Sequence, residues 1–216
     1  MSFYADRIFP ALLDVVSRHF VSQRRALMAH ARGRVLELGV GTGSNLPFYP
    51  AGVSEVVGID PHAPVLDRAR SSLGAMKRRG LPYDVRLQRA DAERLPYRSG
   101  SFDTVVAFLT LCTIPDHEAA VRESYRVLRP GGMLLVLEHV RAEAGSALAR
   151  WQAWLDPVWT RAALGCHLDR DTGAALRRAG FTGPLERYRD DAFFPPTSPR
   201  IRGVLRKPAD DGTGSP

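Results

Sequence analysis

The sequence predicts an α/β domain built on a doubly wound, mostly parallel sheet with helices on both faces. Three observations carry that expectation. From Arg34 to Val140, short apolar runs alternate with stretches of helical periodicity, the pattern of strand–helix–strand units. The first apolar run, VLELGVGTGSN (35–45), ends in glycines on alternate positions, Gly39, Gly41 and Gly43. A glycine-rich turn after a first strand is where such sheets hold ligands. Finally, 216 residues with 44% hydrophobic content suffice for one full core.

In chain order, residues 5–29 place Ile8, Phe9, Leu12, Leu13, Val16 and Phe20 on one helical face, with Arg18, Arg24 and Arg25 off that stripe. This is a helix packed on the domain, a lid over a pocket, or a weak membrane-surface helix; it forms an N-terminal unit over 1–30. The main domain spans 31–207. Its strands are expected at 34–39, 54–60, 84–91, 102–111 and 132–140, with helices at about 64–79 and 116–128. Pro64 suits a first helical turn, where its missing N–H costs little. RPGG (129–132) ends one helix and turns the chain into the next strand. Beyond 140 the segment 146–168 contains all the tryptophans, within a helical cap over about 141–168. A helix over 169–181 has an acidic start and stops at Gly180. PLERYRD and PRIRGVLRKP read as late strands, and 208–216 as a disordered tail.

Composition narrows the function. The chain carries 30 Lys+Arg against 23 Asp+Glu, a net charge of +7, but the arginines are scattered. A soluble, arginine-biased surface fits this better than a nucleic-acid footprint, so no nucleic-acid partner is expected. No apolar run reaches about 18 residues, and the N-terminus lacks a basic-then-apolar leader pattern. The two cysteines, Cys112 and Cys166, are too few for a disulfide framework and form no metal pattern; they read as thiols in a reducing, cytoplasmic setting. No His, Asp and Glu cluster has metal spacing, so no divalent ion is expected. Nothing in the sequence sets an oligomeric state.

The glycine loop excludes one common ligand. The dinucleotide pattern G-x-G-x-x-G needs glycine at 44 when aligned on Gly39, or at 46 when aligned on Gly41; those positions hold Ser44 and Leu46. What stands here is Glu37, Gly39, Gly41 and Gly43 as E-x-G-x-G-x-G. This resembles the first motif of class I S-adenosylmethionine-dependent methyltransferases. Glycines admit close approach of the cofactor's amino-acid and sugar parts, and an acid beside them suits a cationic sulfonium. Further matches follow in order. Asp60, ending VVGID, can accept ribose hydroxyls. In RADAERLP (89–96), the resemblance implies that Asp91 binds the adenine amino group and that Ala92 offers its backbone N–H. SFDTVVAFLTL and VLRPGGMLLVLEH resemble the fourth-strand motif and the entry to the fifth strand. The resemblance implies a Rossmann-like seven-stranded sheet whose last strand, PRIRGVLRKP, is antiparallel. It also implies a cofactor site that includes Tyr4, Asn45, Pro61, Glu93 and Leu109. Taken singly, Glu37 could equally cap a buried network, Asp60 end a strand, and Asp91 cap a turn.

The acceptor side is narrower. WQAWLDPVW (151–159) followed by GCHLDRDTGAAL (165–176), with NLPFYP (45–50) and EHV, is similar to the animal thiol S-methyltransferase family and to bacterial relatives acting on phospholipids or quinones. This implies a small, fairly apolar methyl acceptor, most simply a thiol in secondary metabolism or detoxification, with N- or O-methylation of a lipid head group or quinone-like molecule as the alternative. The animal enzymes carry an apolar N-terminal anchor, whereas the sequence here offers the amphipathic stretch 5–29, so at most a weak membrane-surface contact is expected. A thiol acceptor reacts as thiolate and benefits from an imidazole base. His139 and His167 are the candidates, with Asp156 to orient one of them. Trp151, Trp154 and Trp159 line an apolar acceptor pocket or pack the cap on the sheet. Cys112, after the fourth strand, lines the pocket.

Overall fold

The structure is a computed structural model, and it describes residues 18–209. A seven-stranded sheet runs in the order β3-β2-β1-β4-β5-β7-β6. Its strands are β1 (Gly33–Leu38), β2 (Val53–Asp60), β3 (Asp84–Arg89), β4 (Phe102–Phe108), β5 (Leu128–His139), β6 (Leu185–Arg189) and β7 (Pro199–Arg206). The first five strands pair in parallel, and β7 lies antiparallel between β5 and β6. The helices are α1 (Val21–Met28), α2 (Ala63–Arg78), α3 (His117–Val127), α4 (Ala147–Ala162) and α5 (Thr172–Arg178).

Two apolar layers hold the sheet. On one face Leu36, Leu38, Val105 and Leu134 pack with Ala120 and Val121 of α3 and Leu176 of α5. On the other, Val35, Val106 and Leu135 pack with Leu27 and Met28 of α1 and Leu66 and Leu73 of α2. The central strands bury both faces, which is why they read as continuous apolar runs rather than alternating ones.

Helix ends follow local chemistry. Asp116, Ser146 and Asp171 each accept a hydrogen bond from the backbone N–H three residues on, capping α3, α4 and α5. RPGG differs from its expected role as a turn before the strand. β5 already begins at Leu128, and the register against β4 shifts between Phe102 and Thr104, so the motif is a bulge inside the strand.

The chain leaves β1 toward β2 and β3, then returns to β4 on β1's other side. That reversal opens a crevice at the carboxyl ends of β1 and β4. The register aligns Asp60 with Arg89 and Leu38 with Ala107, so Gly39, Asp60, Asp91 and Leu109 all emerge on one edge. Of the expected N-terminal helix, only the part from residue 18 is described, and Tyr4 lies outside the described residues, as do 210–216 of the tail. Arg24 was expected off the packed stripe. It is instead 7% exposed, tucked beneath the glycine loop.

Candidate active site

The glycine loop has a built-in shape. Gly39, Gly41 and Gly43 all have φ between +57° and +84°, a region that residues with a Cβ rarely adopt. The reasons for glycine differ between them. A Cβ on Gly39 would meet Thr110 Oγ1 at 2.0 Å, so Gly39 is fixed by packing against the loop after β4. A Cβ on Gly41 would meet nothing closer than the Gly39 carbonyl at 3.8 Å. The space over Gly41 is open, a cradle that a side chain would fill.

Beneath the loop lies a buried polar network. Glu37 Oε1 accepts from Asn45 Nδ2 at 2.8 Å, and Oε2 accepts from the Tyr49 hydroxyl at 2.7 Å. Arg24 Nε donates to Asn45 Oδ1 at 2.6 Å, and its guanidinium stands over the Phe108 ring. Burial pushes the Glu37 carboxyl up to about 7, against the opposing pull of Tyr49, Asn45 and Arg24. Burial also lowers the Arg24 guanidinium. Glu37 and Asn45 are 1% and 6% exposed, so in this structure they hold the loop from beneath instead of presenting groups to the crevice.

Asp60, at the end of β2, ties that strand to the loop. Its Oδ2 accepts from the Gly41 N–H at 3.3 Å and its Oδ1 from the His62 N–H at 2.9 Å. Pro61 and Asp91 are exposed at the same edge and Ala92 is buried. The Glu93 carboxylate accepts from the Asp116 N–H at the start of α3, linking the loop after β3 to that helix.

The loop after β4 is held by two residues that sequence reasoning passed over. Glu138, fully buried in β5, accepts backbone N–H bonds from Thr110 at 2.8 Å, Leu111 at 2.9 Å and Cys112 at 3.4 Å. Burial raises its carboxyl and these donors partly offset the rise. An acid inside an otherwise apolar strand, GMLLVLEHV, is the signal that marks it. Arg170, 8% exposed, donates from Nη1 to the carbonyls of Leu111 at 2.6 Å and Ile114, and from Nη2 to that of Pro115 at 3.1 Å. Leu109 opens this loop at φ +53°, a strained conformation for a branched side chain.

Two histidine sites sit beyond that loop. His167 Nδ1 is 2.9 Å from Asp156 Oδ2, while Asp156 Oδ1 accepts the Leu168 N–H at 2.5 Å. The His167 backbone N–H donates to the Cys112 carbonyl at 2.8 Å, which places this residue next to the end of β4. Asp156 is buried and the His167 side chain is 34% exposed, so one ring nitrogen is oriented while the ring stays accessible. His139 is 6% exposed; its Nε2 stands 2.8 Å from Cys166 Sγ, which is 3.7 Å from Cys112 Sγ. The hydrogen bond with Cys166, reinforced by burial, drives the Cys112 thiol well up, and the same bond lowers Cys166. Burial works to lower the His139 imidazole, but the Cys112 sulfur and Glu138 outweigh it and leave it raised. The cysteines are 54 positions apart, with no short-range spacing to announce that they meet.

The expected tryptophan lining is only partly formed. Trp154 is 77% exposed and Trp151 40% exposed, on the outer face of α4 with Val158, because positions three and seven apart share a helical face. That corrects Trp154 as a pocket residue. Trp159 is instead half-buried, its ring stacked on that of Phe194 with centroids 6.5 Å apart. Among the described residues no helix is long and apolar enough to cross a membrane.

The fold, the glycine cradle and the acid-tipped second strand define an S-adenosylmethionine-dependent methyltransferase. A family model described as a methyltransferase domain matches residues 36–136. A human thiol S-methyltransferase, TMT1B, is 33% identical over 212 residues, covering 92% of this chain and 86% of its own. A Cereibacter sphaeroides phosphatidylethanolamine N-methyltransferase is 39% identical over 140 residues, covering 61% of this chain and 67% of its own. Among solved structures, a Bacillus halodurans methyltransferase superposes with a TM-score of 0.67 at 19% identity, over 87% of this chain and 98% of that one. The chain belongs to this methyltransferase family, which implies S-adenosylmethionine as cofactor.

Proposed function

We propose that the protein methylates a small, fairly apolar thiol. The observation that carries this reading is the Asp156–His167 pair, held by the His167 N–H to the Cys112 carbonyl at the end of β4. An aliphatic thiol has a pKa near 8.5, so at neutral pH it reaches the site mostly protonated. His167, with Nδ1 turned to the Asp156 carboxylate, presents Nε2 as the proton acceptor for the incoming thiol, and Asp156 steadies the imidazolium that results. The 33% identity to a thiol S-methyltransferase over nearly the whole chain supports the same reading.

The open space over Gly41 suits the cofactor, with Asp60 toward its ribose and Asp91 and Ala92 toward its adenine. When bound, S-adenosylmethionine supplies a methyl group on a sulfonium, already activated for in-line displacement. The protein's part is to orient the acceptor sulfur, exclude water and take one proton. We place this activity in the cytoplasm, in secondary metabolism or in detoxification of free thiols.

A second reading, N-methylation of a lipid head group, is favoured by the exposed apolar stripe of Trp151, Trp154 and Val158, and by the resemblance to a phosphatidylethanolamine enzyme. Release of S-adenosylhomocysteine separates the two, with alkyl and aryl thiols, matched alcohols and amines, and phosphatidylethanolamine vesicles offered in parallel. Turnover confined to thiols is the expected result; turnover on vesicles alone overturns it.

A further inference from the structure

We propose that Cys112, His139 and Cys166 form a binding site for one thiophilic divalent cation of the zinc type. Their donor atoms all lie within 4.8 Å of one another. They come from three separate segments: the loop after β4, the end of β5, and the turn between α4 and α5. A tetrahedral zinc with Zn–S bonds of about 2.3 Å sets its two sulfurs about 3.8 Å apart. Here the sulfurs stand 3.7 Å apart before any adjustment. His139 Nε2 lies 2.8 Å from Cys166 Sγ, the separation of a shared proton. Replacing that proton by the cation asks the imidazole to withdraw to about 3.6 Å from the sulfur, the separation that tetrahedral Zn–N and Zn–S bonds of about 2.1 and 2.3 Å require.

The site is organised before anything binds. Cys112 is held at both backbone groups: its N–H donates to Glu138 at 3.4 Å and its carbonyl accepts from His167 at 2.8 Å. Arg170 clamps the same loop from the other side. Cys112 is buried and Cys166 is the half-buried member, which gives a path of entry. The charges balance as well. Two thiolates neutralise a divalent cation, so the loaded site adds no net charge to the interior. Loading releases two protons: the two sulfurs and the ring together hold three, whether the shared one rests on Cys166 or on His139, and one stays on His139 Nδ1.

Three protein ligands with one position left over is the arrangement of a catalytic rather than a structural zinc. Resting on the thiol reading above, the fourth position takes the acceptor's sulfur. Bound there, the cation would hold that sulfur as its thiolate.

The test uses the full chain, kept reduced, titrated with cobalt(II). The expected result is a thiolate-to-cobalt charge-transfer absorption that saturates at one equivalent, with two protons released and zinc(II) competing. Cys166→Ser and His139→Ala should weaken cobalt binding by more than about 100-fold, since even groups that only support metal ligands are worth about 10–100-fold. Both are compared with wild type by melting temperature, so that a folding defect is recognised. Absence of the absorption, wild-type cobalt affinity in Cys166→Ser, or a Cys112–Cys166 disulfide in protein taken directly from cells overturns the site. Adding an alkyl thiol, but not the matched alcohol, should then shift the cobalt spectrum. Full thiol turnover by chelator-treated, metal-free protein overturns the cation's part in the reaction while leaving the thiol reading standing.

Discussion

The Tyr49 hydroxyl donates a 2.7 Å hydrogen bond to the buried Glu37 carboxylate, and the same carboxylate takes a second bond from Asn45. The acid of the glycine motif is thereby turned away from the crevice and supports the loop from below. Its carboxyl is raised by burial to about 7, against an ordinary value of 4.5. A raised folded-state pKa favours folding while the group is protonated. The contribution is therefore complete below about pH 4.5 and is lost as pH rises through about 7. The unliganded protein should lose stability across that window, by no more than about 3 kcal/mol for a shift of this size. Glu37→Gln removes the titration, and its melting temperature should change less than wild type's between pH 5 and pH 8. Parallel melting curves for the two proteins would sink this account.

Gly39 and Gly41 separate packing from ligand space. Gly39→Ala drives a methyl into Thr110 Oγ1 and should lower the melting temperature more than Gly41→Ala. Gly41→Ala meets no protein atom and carries mainly the left-handed backbone penalty of about 1–2 kcal/mol. Its defect should appear in S-adenosylmethionine affinity, and Gly41→Val should abolish binding in calorimetry. Wild-type affinity in Gly41→Val would remove the cofactor from this cradle.

Asp60 ends β2 and Asp91 lies in the loop just after the neighbouring β3, and they have different work. Asp60 already holds the Gly41 and His62 N–H groups, so Asp60→Ala should both loosen the loop and weaken cofactor binding. Asp91 is exposed, so Asp91→Ala should weaken binding with little change in melting temperature. A lost charge-assisted hydrogen bond is worth about 1.5–3 kcal/mol, roughly 10- to 150-fold in affinity. Unchanged affinity in both variants would contradict the assignment of this edge to the nucleoside.

Much of this was legible in the sequence, because the signals are local. The strands of a parallel sheet read as apolar runs, and the loop's glycines sit at fixed offsets from Glu37 and Asp60. What escaped depends on distant segments meeting. Arg24 carries a charge and falls outside the apolar stripe of its helix, so periodicity sends it to solvent; the Asn45–Glu37 network and the Phe108 ring take it inside. Cys112 and Cys166 lack any short motif and meet only because α4 carries the chain back over the end of β4. Trp154 illustrates the reverse case: a large apolar residue suggests pocket lining or packing of the cap on the sheet, but its position on α4 faces outward.

Asp156 and His167 supply the last prediction. If His167 takes the proton from a thiol acceptor, His167→Ala should lower kcat/KM at neutral pH by about 10²–10⁴-fold, the usual range for a general base. The deficit should shrink as pH rises past the thiol's own pKa near 8.5, since the substrate then arrives as thiolate. Asp156→Asn keeps the shape but loses the charge that steadies the imidazolium, so it should show a smaller loss with the same pH trend. Because Asp156 also accepts the Leu168 N–H at 2.5 Å, its variant needs a melting curve beside the kinetics. A deficit in His167→Ala that is equal at pH 7 and pH 9.5 would assign the pair to holding α4 against the β4 loop, and the acceptor's proton would then leave by another route.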